Sequence, residues 1–388
     1  MQIPFNISNQ SFSLYVHIPF CVRKCRYCDF YSIPFDTSLA RQYIEALGRE
    51  WEMMQQELSL QSRSVRTVYI GGGTPSLLDA DLWGQLNRVL FSKLDLSDLE
   101  EWSVECNPES FTVKKGYMYA DTGVTRLTFG VQSLSPRELS LCGRVHTAQR
   151  ALEVLGDPRL SEWFRSIGVD IIYSLPGQTV ESLDRTLSGV LSFSAVRHLS
   201  AYELTISPDT PFGRHSKRLP VPSEEHSVEM YELVGKRCRE RGMHQYEISN
   251  YALDGHESVH NRAYWTHKPY LGLGCSAHSY FHPGRWSNVA DVKKYMALLS
   301  SGLSPVDFEE TIGTSELARE MLFLGLRNAG GLDEVEFERK TGLSLTGQGR
   351  NELLSEYSGS GLLRKRGRKW IPTSRGMLFA EGMARNLL

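Results

Sequence analysis

The segment Cys21-Val-Arg-Lys-Cys25-Arg-Tyr-Cys28 places three cysteines on one short stretch, with the spacing C-x3-C-x2-C. Three thiolates on one loop can each bind one iron of a cubane [4Fe–4S] cluster, and the fourth iron then has no protein ligand. An open iron can bind and polarise a chelating small molecule, as a catalytic zinc does through its open position. The spacing therefore predicts a [4Fe–4S] cluster with Cys21, Cys25 and Cys28 as its ligands.

A structural zinc site is the alternative for these cysteines, and it needs a fourth protein ligand. His17 precedes Cys21 by four residues and could complete such a set. However, His17 lies inside the alternating run Tyr15-Val-His17-Ile, so strand geometry rather than the loop sets the direction of its side chain. The cluster is therefore favoured over zinc.

The composition is typical of a globular chain of 388 residues, with 41% hydrophobic and 23% charged residues and a formal net charge of -2. That charge gives no support for nucleic acid or an anionic membrane as the main partner. No apolar run reaches the ~20 residues of a membrane-spanning helix, and Met1–Ser13 lacks the pattern of a secretory signal. We expect a cytoplasmic protein, for which peripheral membrane contact stays open. Four isolated cysteines are expected to be buried as small apolar residues: Cys106, Cys142, Cys238 and Cys275.

Six runs rich in β-branched and aromatic residues alternate with segments of helical spacing, such as Leu39–Leu58 and Ser182–Phe193. This alternation predicts an α/β fold with parallel strands joined by right-handed crossovers. The six candidate strands are Ser13–Ile18, Thr67–Ile70, Glu101–Val104, Arg126–Val131, Val169–Ser174 and His198–Leu204.

The second half of the chain has a different pattern. Glu224–Arg241 is spaced as an amphipathic helix, whereas His244–Tyr280 is rich in Tyr, His, Asn and Gly and has little periodicity. From about Ser315, three helical segments precede two short strand-like runs around Gly367, and a last helix is capped by Thr373. The three segments are Glu316–Leu326, Leu332–Thr341 and Gly349–Tyr357. Helices followed by a hairpin predict a small winged-helix-like C-terminal domain.

Residues able to do chemistry recur where the predicted strands end. In a barrel of parallel strands, active sites form at the carboxyl ends. The cysteines follow the first strand, and the fifth strand is predicted to open with Asp170. Gly71-Gly72-Gly73-Thr74-Pro75 follows the second strand, and Glu105 ends the third. Gln132 ends the fourth strand, and Tyr202 lies in the sixth.

With these motifs in view, the chain resembles the radical S-adenosylmethionine (SAM) superfamily, whose signature is this cysteine spacing with an aromatic residue, here Tyr27, before the last cysteine. The resemblance implies a radical SAM partial (β/α)6 barrel in residues 1–250, an extension in 251–310 and a HemN-type C-terminal domain in 311–388. Several motifs resemble the branch of oxygen-independent coproporphyrinogen III oxidase: 15–20, 71–75, 105–108, 130–133, 143–146 and 170–179.

The resemblance also implies a site for SAM, whose amino acid end would chelate the open iron. Glycines lack side chains, so backbone groups at Gly72 and Gly73 can approach the ligand closely. Glu105 can pair with the ammonium group or accept from the ribose hydroxyls. As alternatives, Gln132 could satisfy a strand end and Arg144 could be a surface cation. The resemblance implies that Tyr15 and Tyr27 flank the cluster. The remaining cofactor-binding positions that it implies are Gly72, Gly73, Thr74, Glu105, Gln132, Arg144 and Asp170.

Two features favour a heme chaperone over the oxidase. The oxidase has a further cysteine two positions after the third, where this chain has Phe30, and it has a longer segment before its cysteines. Cys28-Asp29-Phe30 and His260-Asn261-Arg-Ala-Tyr264-Trp265 instead resemble the heme chaperone branch, HemW. This resemblance implies that the protein binds heme and transfers it to an acceptor protein.

An imidazole is a normal axial ligand of heme iron, and aromatic rings can lie against a porphyrin. The resemblance therefore implies His260 as the iron ligand, with Tyr264 and Trp265 against the macrocycle. In the alternative, Tyr264 and Trp265 are core aromatics and His260 is a hydrogen-bonded structural histidine. The family further implies a low-potential electron donor such as flavodoxin or ferredoxin.

Two other functions remain as alternatives. One is an oxygen-independent oxidase that uses a deoxyadenosyl radical to decarboxylate coproporphyrinogen III to protoporphyrinogen IX. The other is a zinc-dependent nucleic-acid-binding protein that uses the basic run 364–369. Against the second, charges at a solvated hairpin tip also suppress edge pairing, and the near-neutral chain favours that explanation.

Overall fold

The computed structural model describes residues 11–347 and 349–388, so most of Met1–Ser13 lies outside the described residues. Its strands are β1 (Phe12–Ile18), β2 (Phe20–Cys21), β3 (Ile33–Pro34), β4 (Val65–Gly72), β5 (Glu101–Cys106), β6 (Arg126–Gln132), β7 (Ser166–Tyr173), β8 (Val196–Glu203), β9 (His244–Gln245), β10 (Asn250–Ala252), β11 (Tyr270–Leu273), β12 (His278–Phe281), β13 (Gly284–Asn288), β14 (Val306–Thr311), β15 (Leu332–Asp333), β16 (Leu363–Arg366) and β17 (Lys369–Pro372). Its α-helices are α1 (Thr37–Glu57), α2 (Ala80–Val89), α3 (Val113–Asp121), α4 (Pro136–Cys142), α5 (Ala148–Leu155), α6 (Arg159–Trp163), α7 (Val180–Leu191), α8 (Pro211–Arg214), α9 (Glu224–Glu240), α10 (Val259–Trp265), α11 (Val292–Ser300), α12 (Thr314–Gly325), α13 (Glu334–Thr341), α14 (Arg350–Gly359), α15 (Ser374–Leu378) and α16 (Ala380–Leu387).

One large sheet organises the molecule, in the order β14-β13-β12-β11-β1-β4-β5-β6-β7-β8-β10-β9. The strands β1, β4, β5, β6, β7 and β8 are parallel neighbours in chain order. They coincide with the six candidate strands of the sequence, so the predicted α/β fold is confirmed. Because the strands are parallel, their carboxyl ends lie at one edge of the sheet.

These strands are almost continuously buried, as expected for parallel strands covered on both faces. In β1 every residue except Tyr15 is buried, and β7 is interrupted in the same way at Asp170. The helix α1 covers the sheet with a buried stripe that includes Tyr43, Leu47 and Trp51. The prediction that Asp170 opens the fifth strand was wrong, because β7 begins at Ser166 and Asp170 lies in its middle.

The weakly periodic segment after residue 250 contains regular structure that the sequence did not indicate. The strand β10 pairs antiparallel with β8, and β11 pairs parallel with β1 at the other end of the six. The strands β12, β13 and β14 extend the sheet further by antiparallel pairing. The sheet therefore continues across residue 250, and the proposed domain boundaries at 250 and 310 stay predictions.

A buried ion pair fastens α10 to the sheet. Arg126 Nε lies 2.8 Å from Glu101 Oε2, and both side chains are almost fully buried. The same carboxylate accepts hydrogen bonds from Ser258 Oγ and from the backbone N–H groups of Val259 and His260, each at 3.2 Å. The helix that carries the His260 motif is thus held on β5 and β6.

The C-terminal residues form a second core, as the predicted winged-helix-like arrangement requires. The helices α12, α13 and α14 precede the hairpin β16–β17, which β15 extends to three strands. Contrary to the sequence prediction of one helix over Leu332–Thr341, its first two residues form β15. Within the described ranges, every helix is too short or too polar to cross a bilayer. The buried core residues include Leu322, Leu326, Phe337, Leu354, Trp370 and Met383.

The basic run on the hairpin is partly neutralised by acidic residues of α13 and its cap. Arg368 lies 3.4 Å and Lys365 lies 3.8 Å from Glu334, and Lys369 lies 3.1 Å from Asp333. These contacts agree with the explanation of the run as a solvated hairpin and weaken the nucleic-acid hypothesis.

Candidate functional site

A cavity of about 400 Å³ opens at the carboxyl ends of the parallel strands, between the strand ends and the cysteine loop. Its position is the one expected for an active site of a parallel barrel. Most of the residues singled out from the sequence line it: Cys21, Cys25, Tyr27, Cys28, Gly72, Gly73, Thr74, Glu105, Gln132, Arg144 and Asp170.

The three cysteines of the loop face this cavity as free thiols. Thr74 Oγ1 lies 3.7 Å from Cys21 Sγ, and Arg144 Nη1 lies 3.4 Å from Cys25 Sγ. Burial raises the pKa of Cys21, and it raises the pKa of Cys28 to about 11. Among the described residues, no three His, Cys, Asp or Glu side chains are gathered as a ready-made metal site. The assignment of the thiols as cluster ligands stays a prediction.

The glycines at the end of β4 allow it to lie against the cysteine loop. A Cβ atom on Gly73 would lie 2.6 Å from Phe20 O and 2.8 Å from Ile18 O. Gly72 has φ +108°, and a Cβ atom there would lie 2.5 Å from the ring of His17. Because only glycine tolerates these positions without strain, the run has a structural cause.

Glu105 is held by two donors of the neighbouring strand. Tyr69 Oη donates to Glu105 Oε1 at 2.7 Å, and Gly72 N–H donates to Oε2 at 3.0 Å. Burial raises the pKa of this carboxyl group. Each carboxylate oxygen can accept a further hydrogen bond, so a cationic or hydroxylated ligand in the cavity could use them.

Arg144 is not the surface cation that the sequence left open. Its Nη2 donates to Asn107 Oδ1 at 2.6 Å and to Gly130 O at 2.7 Å, while Nη1 faces Cys25. Gln132 has φ +67°, which is uncommon for a residue other than glycine. The register between β6 and β7 shifts at the same place. Strained backbone of this kind concentrates at functional sites.

Three residues that line the cavity each have a buried polar atom without a hydrogen-bond partner within the described part of the chain: Ser32 Oγ, Arg144 Nε and Asp170 Oδ1. Burial also raises the pKa of Asp170 to about 7. Unsatisfied buried groups are costly, so they favour a bound ligand that supplies both an acceptor and a donor. SAM, with its carboxylate, ammonium and hydroxyl groups, has this chemistry.

Tyr15 lies beside the cavity and does not line it. Its ring stacks on Tyr69 with centroids 6.1 Å apart, and its hydroxyl lies 2.9 Å from His17 Nδ1. The other ring nitrogen of His17 lies 3.1 Å from Tyr31 O. Because both nitrogens are occupied, His17 is not available as a fourth zinc ligand in this structure.

His260 is buried, with 1% of its surface exposed. Its Nδ1 lies 2.8 Å from Thr67 Oγ1, its Nε2 lies 2.8 Å from Tyr264 Oη, and its ring lies 5.0 Å from that of Tyr69. Burial lowers the pKa of His260 to about 4. Both ring nitrogens are therefore used inside the protein, as in the structural alternative. Heme ligation by His260 would require these contacts to break.

A second cavity, of about 480 Å³, lies next to the first, and Tyr202 lines both. Tyr264 and Trp265 face this cavity, so the two aromatic residues of the His260 motif are not plain core residues. The other residues that matter for its chemistry are Asn250, His267, Tyr270, Tyr280, Arg285, Glu320 and Arg327.

Two residues that orient side chains of the first cavity were not among the site residues predicted from the sequence. Asn107 orients Arg144, and Tyr69 orients Glu105. Asn107 directly follows the end of β5, and Tyr69 lies two residues before the glycines. The place of Asn107 at a strand end is the signal that could have identified it, whereas Tyr69 lies inside β4.

Comparison with known proteins fits this geometry. The radical SAM superfamily profile matches residues 15–188, and the profile of the HemN C-terminal domain matches residues 314–379. The structure of coproporphyrinogen III oxidase (HemN) from Escherichia coli, a radical SAM enzyme, has the same fold. Its TM-score is 0.84 at 23% identity, covering 98% of this chain and 90% of that chain. Fold and site therefore define a radical SAM protein with a HemN-type C-terminal domain.

Relatives found by sequence similarity identify the family within the radical SAM superfamily to which the chain belongs. The heme chaperone HemW of Bacillus subtilis (strain 168) is 37% identical over 348 residues, which are 86% of this chain and 88% of the relative. The heme chaperone HemW of Mycobacterium tuberculosis (strain H37Rv) is 32% identical over 384 residues, covering 98% and 95% of the two chains. The chain belongs to the HemW family. Its membership of the radical SAM superfamily implies a [4Fe–4S] cluster and SAM.

Proposed function

We propose that the protein is a heme chaperone, which binds heme, holds a SAM-ligated [4Fe–4S] cluster and transfers heme to an acceptor protein. The similarity to HemW proteins over most of the chain carries this proposal. The similarity to HemN supports the fold alone, because only 23% of the residues are identical. Phe30, which is 61% exposed beside the cysteine loop, stands where the oxidase has its additional cysteine.

In this proposal Cys21, Cys25 and Cys28 ligate three irons of the cluster. SAM occupies the rest of the 400 Å³ cavity, with Glu105 and Asp170 as acceptors for its ammonium and hydroxyl groups. The guanidinium of Arg144 lies beside the cysteine loop and supplies a positive charge for the carboxylate of SAM. When bound, the cluster supplies an electron to the sulfonium of SAM.

The cluster needs an electron donor, and the surface around the loop supports an acidic one. Arg23, Lys24 and Arg26 are exposed on the loop that carries the thiols, next to the exposed apolar residues Val22 and Phe30. A positive patch beside exposed apolar residues suits a small acidic protein. A low-potential flavodoxin or ferredoxin has this chemistry.

The test against the oxidase hypothesis is an anaerobic assay of the reconstituted protein with coproporphyrinogen III and a reductant, with Escherichia coli HemN as positive control. We expect no protoporphyrinogen IX from this protein while the control converts its substrate. Conversion at a rate comparable to the control would overturn the chaperone proposal.

Cluster ligation is tested by iron and sulfide analysis after anaerobic reconstitution. We expect Cys21→Ala to lose most of the iron and the brown chromophore. Cys238→Ala is the matched control, because Cys238 is buried on α9 and does not line the cavity. Equal iron in both variants would exclude Cys21 as a ligand.

A further inference from the structure

The second cavity lies in the gap between the two ends of the parallel part of the sheet. Tyr202 on β8 lies at one end, Tyr270 on β11 lies at the other, and Leu324 on α12 covers the gap from the C-terminal domain. The volume of about 480 Å³ is within the range of ~300–1,000 Å³ that is typical of cofactor and ligand sites. The gap is therefore large enough to admit a ligand.

Aromatic rings form much of the wall. The ring of Tyr264 meets that of Tyr270 edge-on at 4.6 Å, and Tyr270 lies 6.0 Å from Tyr280. Trp265 faces the same space. Flat apolar surfaces with polar edges suit a large planar ligand that is itself apolar in its middle and polar at its rim.

His267 offers the nitrogen that His260 lacks. Its side chain is 6% exposed, and its buried Nε2 makes no hydrogen bond within the described ranges. The carboxylate of Glu320 lies 3.6 Å from Nε2, which is beyond hydrogen-bond length but within ion-pair distance when the ring is protonated, so iron would replace this contact. Glu320 is held instead by Arg285 Nη2 at 2.6 Å. His267 has φ +50°, a strained conformation for histidine.

Arg327 supplies a positive charge at the edge of the cavity. Its guanidinium lies 4.9 Å from the ring of Phe323 and 5.8 Å from the ring of Trp265. In the part of the chain that the structure describes, its buried Nε has no hydrogen-bond partner. Its charge acts on the buried carboxylate of Glu247, which lines the same cavity, but the two side chains make no close ion pair. Asn250 lines the same cavity, and its buried Oδ1 also has no hydrogen-bond partner among the described residues. A ligand carboxylate would satisfy the guanidinium.

We infer that this second cavity is the heme site, that His267 ligates the iron, and that Arg327 pairs with a propionate of the porphyrin. The inference rests on the proposed function for the identity of the ligand. The aromatic wall then lies against the macrocycle, and Tyr202 separates the heme from the cavity assigned to SAM. His260 supports the wall from behind through its hydrogen bond with Tyr264.

The experiment is an anaerobic heme titration of the full-length protein, followed by its absorption spectrum. We expect His267→Ala to lower heme affinity about tenfold or more and to change the Soret band and the spin state. Added imidazole should restore the spectrum of the wild type. Arg327→Met should lower affinity without changing the spectrum. His278→Ala is the control, because His278 is exposed and does not line the cavity.

The outcomes separate the two proposals. If the wild type binds heme and His267→Ala keeps its affinity and spectrum, the heme site proposed here is wrong and the chaperone function stands. If the wild type shows no saturable heme binding, the proposed function itself fails. Because His267 is buried, His267→Gln is measured beside His267→Ala. Gln keeps a polar group of similar size and is a poor iron ligand, so it reports on ligation where the alanine variant does not fold.

Discussion

Gly73 allows the end of β4 to lie close to the cysteine loop because glycine has no side chain. The atoms that a Cβ would strike, Phe20 O at 2.6 Å and Ile18 O at 2.8 Å, belong to the backbone and cannot rotate away. We expect Gly73→Ala to displace the end of β4 from the cysteine loop and to lower SAM affinity about tenfold or more.

This change is measured by the effect of SAM on the EPR signal of the reduced cluster. Gly359→Ala is the matched control, since a Cβ there would meet nothing within 4 Å. Equal SAM affinity in both variants would show that the close approach at Gly73 does not shape the site.

His260 makes the stability of the protein depend on pH. Burial holds its pKa at about 4 in the folded chain, below the value of ~6.5 in the unfolded chain. The unfolded chain therefore binds more protons between these values, and the contribution of His260 to stability is lost as pH falls from ~6.5 towards 4. In heme-free protein, the free energy of unfolding of His260→Gln should fall less across this window, by up to ~3 kcal/mol.

Urea unfolding at pH 7 and pH 5 measures the difference between the two proteins. The same variant also tests the ligand assignment drawn from the sequence. If His260→Gln keeps its fold but loses the heme spectrum of the wild type, His260 and not His267 is the iron ligand. Parallel pH dependences would show that His260 is not held neutral by burial.

At the scale of elements, the anchoring of α10 explains why the His260 motif has a structural role. Glu101 accepts from the first turn of this helix and neutralises Arg126 in a buried place. Removing one partner of such a pair leaves an uncompensated buried charge, which costs about 3–5 kcal/mol. We therefore expect Glu101→Gln to lower the free energy of unfolding by about this amount.

The neighbouring residue provides the control for that measurement. Glu100 pairs with Arg66 at 2.7 Å, but both side chains are more than 40% exposed. Exposed pairs contribute about 0–1 kcal/mol, so Glu100→Gln should be nearly neutral in denaturant unfolding. A similar loss in the two variants would contradict the anchoring role of Glu101.

The cysteine loop is the element through which electrons enter in this account. Lys24→Glu should slow the reduction of the cluster by flavodoxin at low ionic strength, by about tenfold. The difference should shrink as salt is added, because salt screens exposed charges. Stopped-flow kinetics measure the rates, with the exposed Lys114 on α3 as the control for charge reversal. A rate that does not respond to the Lys24 charge would exclude this loop as the docking surface.

The strands of the barrel and the C-terminal hairpin were predictable, and the strands between residues 250 and 311 were not, for a physical reason. A strand buried on both faces needs β-branched and aromatic residues in an unbroken run, as in Phe12–Ile18, and that composition is visible in the sequence. By contrast, Tyr270–Leu273 is short and rich in Tyr, Leu and Gly. It becomes a strand by pairing with β1, which lies more than 250 residues earlier. Local sequence does not encode such a partner.

At the scale of the whole molecule, motif order predicted the first cavity but not the second. The residues of the first follow successive strands, so their meeting is a consequence of parallel topology. The second is built from β8, β10, α10, β11, β12, β13 and α12, which come together only when the sheet is complete and the C-terminal domain covers it. His267 was overlooked for that reason, since its neighbours Glu320 and Tyr280 are distant in sequence.

The central claim is that this chain carries heme and does not make its precursor. Its most direct test is an anaerobic spectroscopic titration of the cluster-loaded protein with heme. The account predicts saturable binding of one heme per chain, with a Soret band that His267→Ala alters and His278→Ala preserves. A titration in which the absorbance follows free heme throughout, with no saturation, would contradict it.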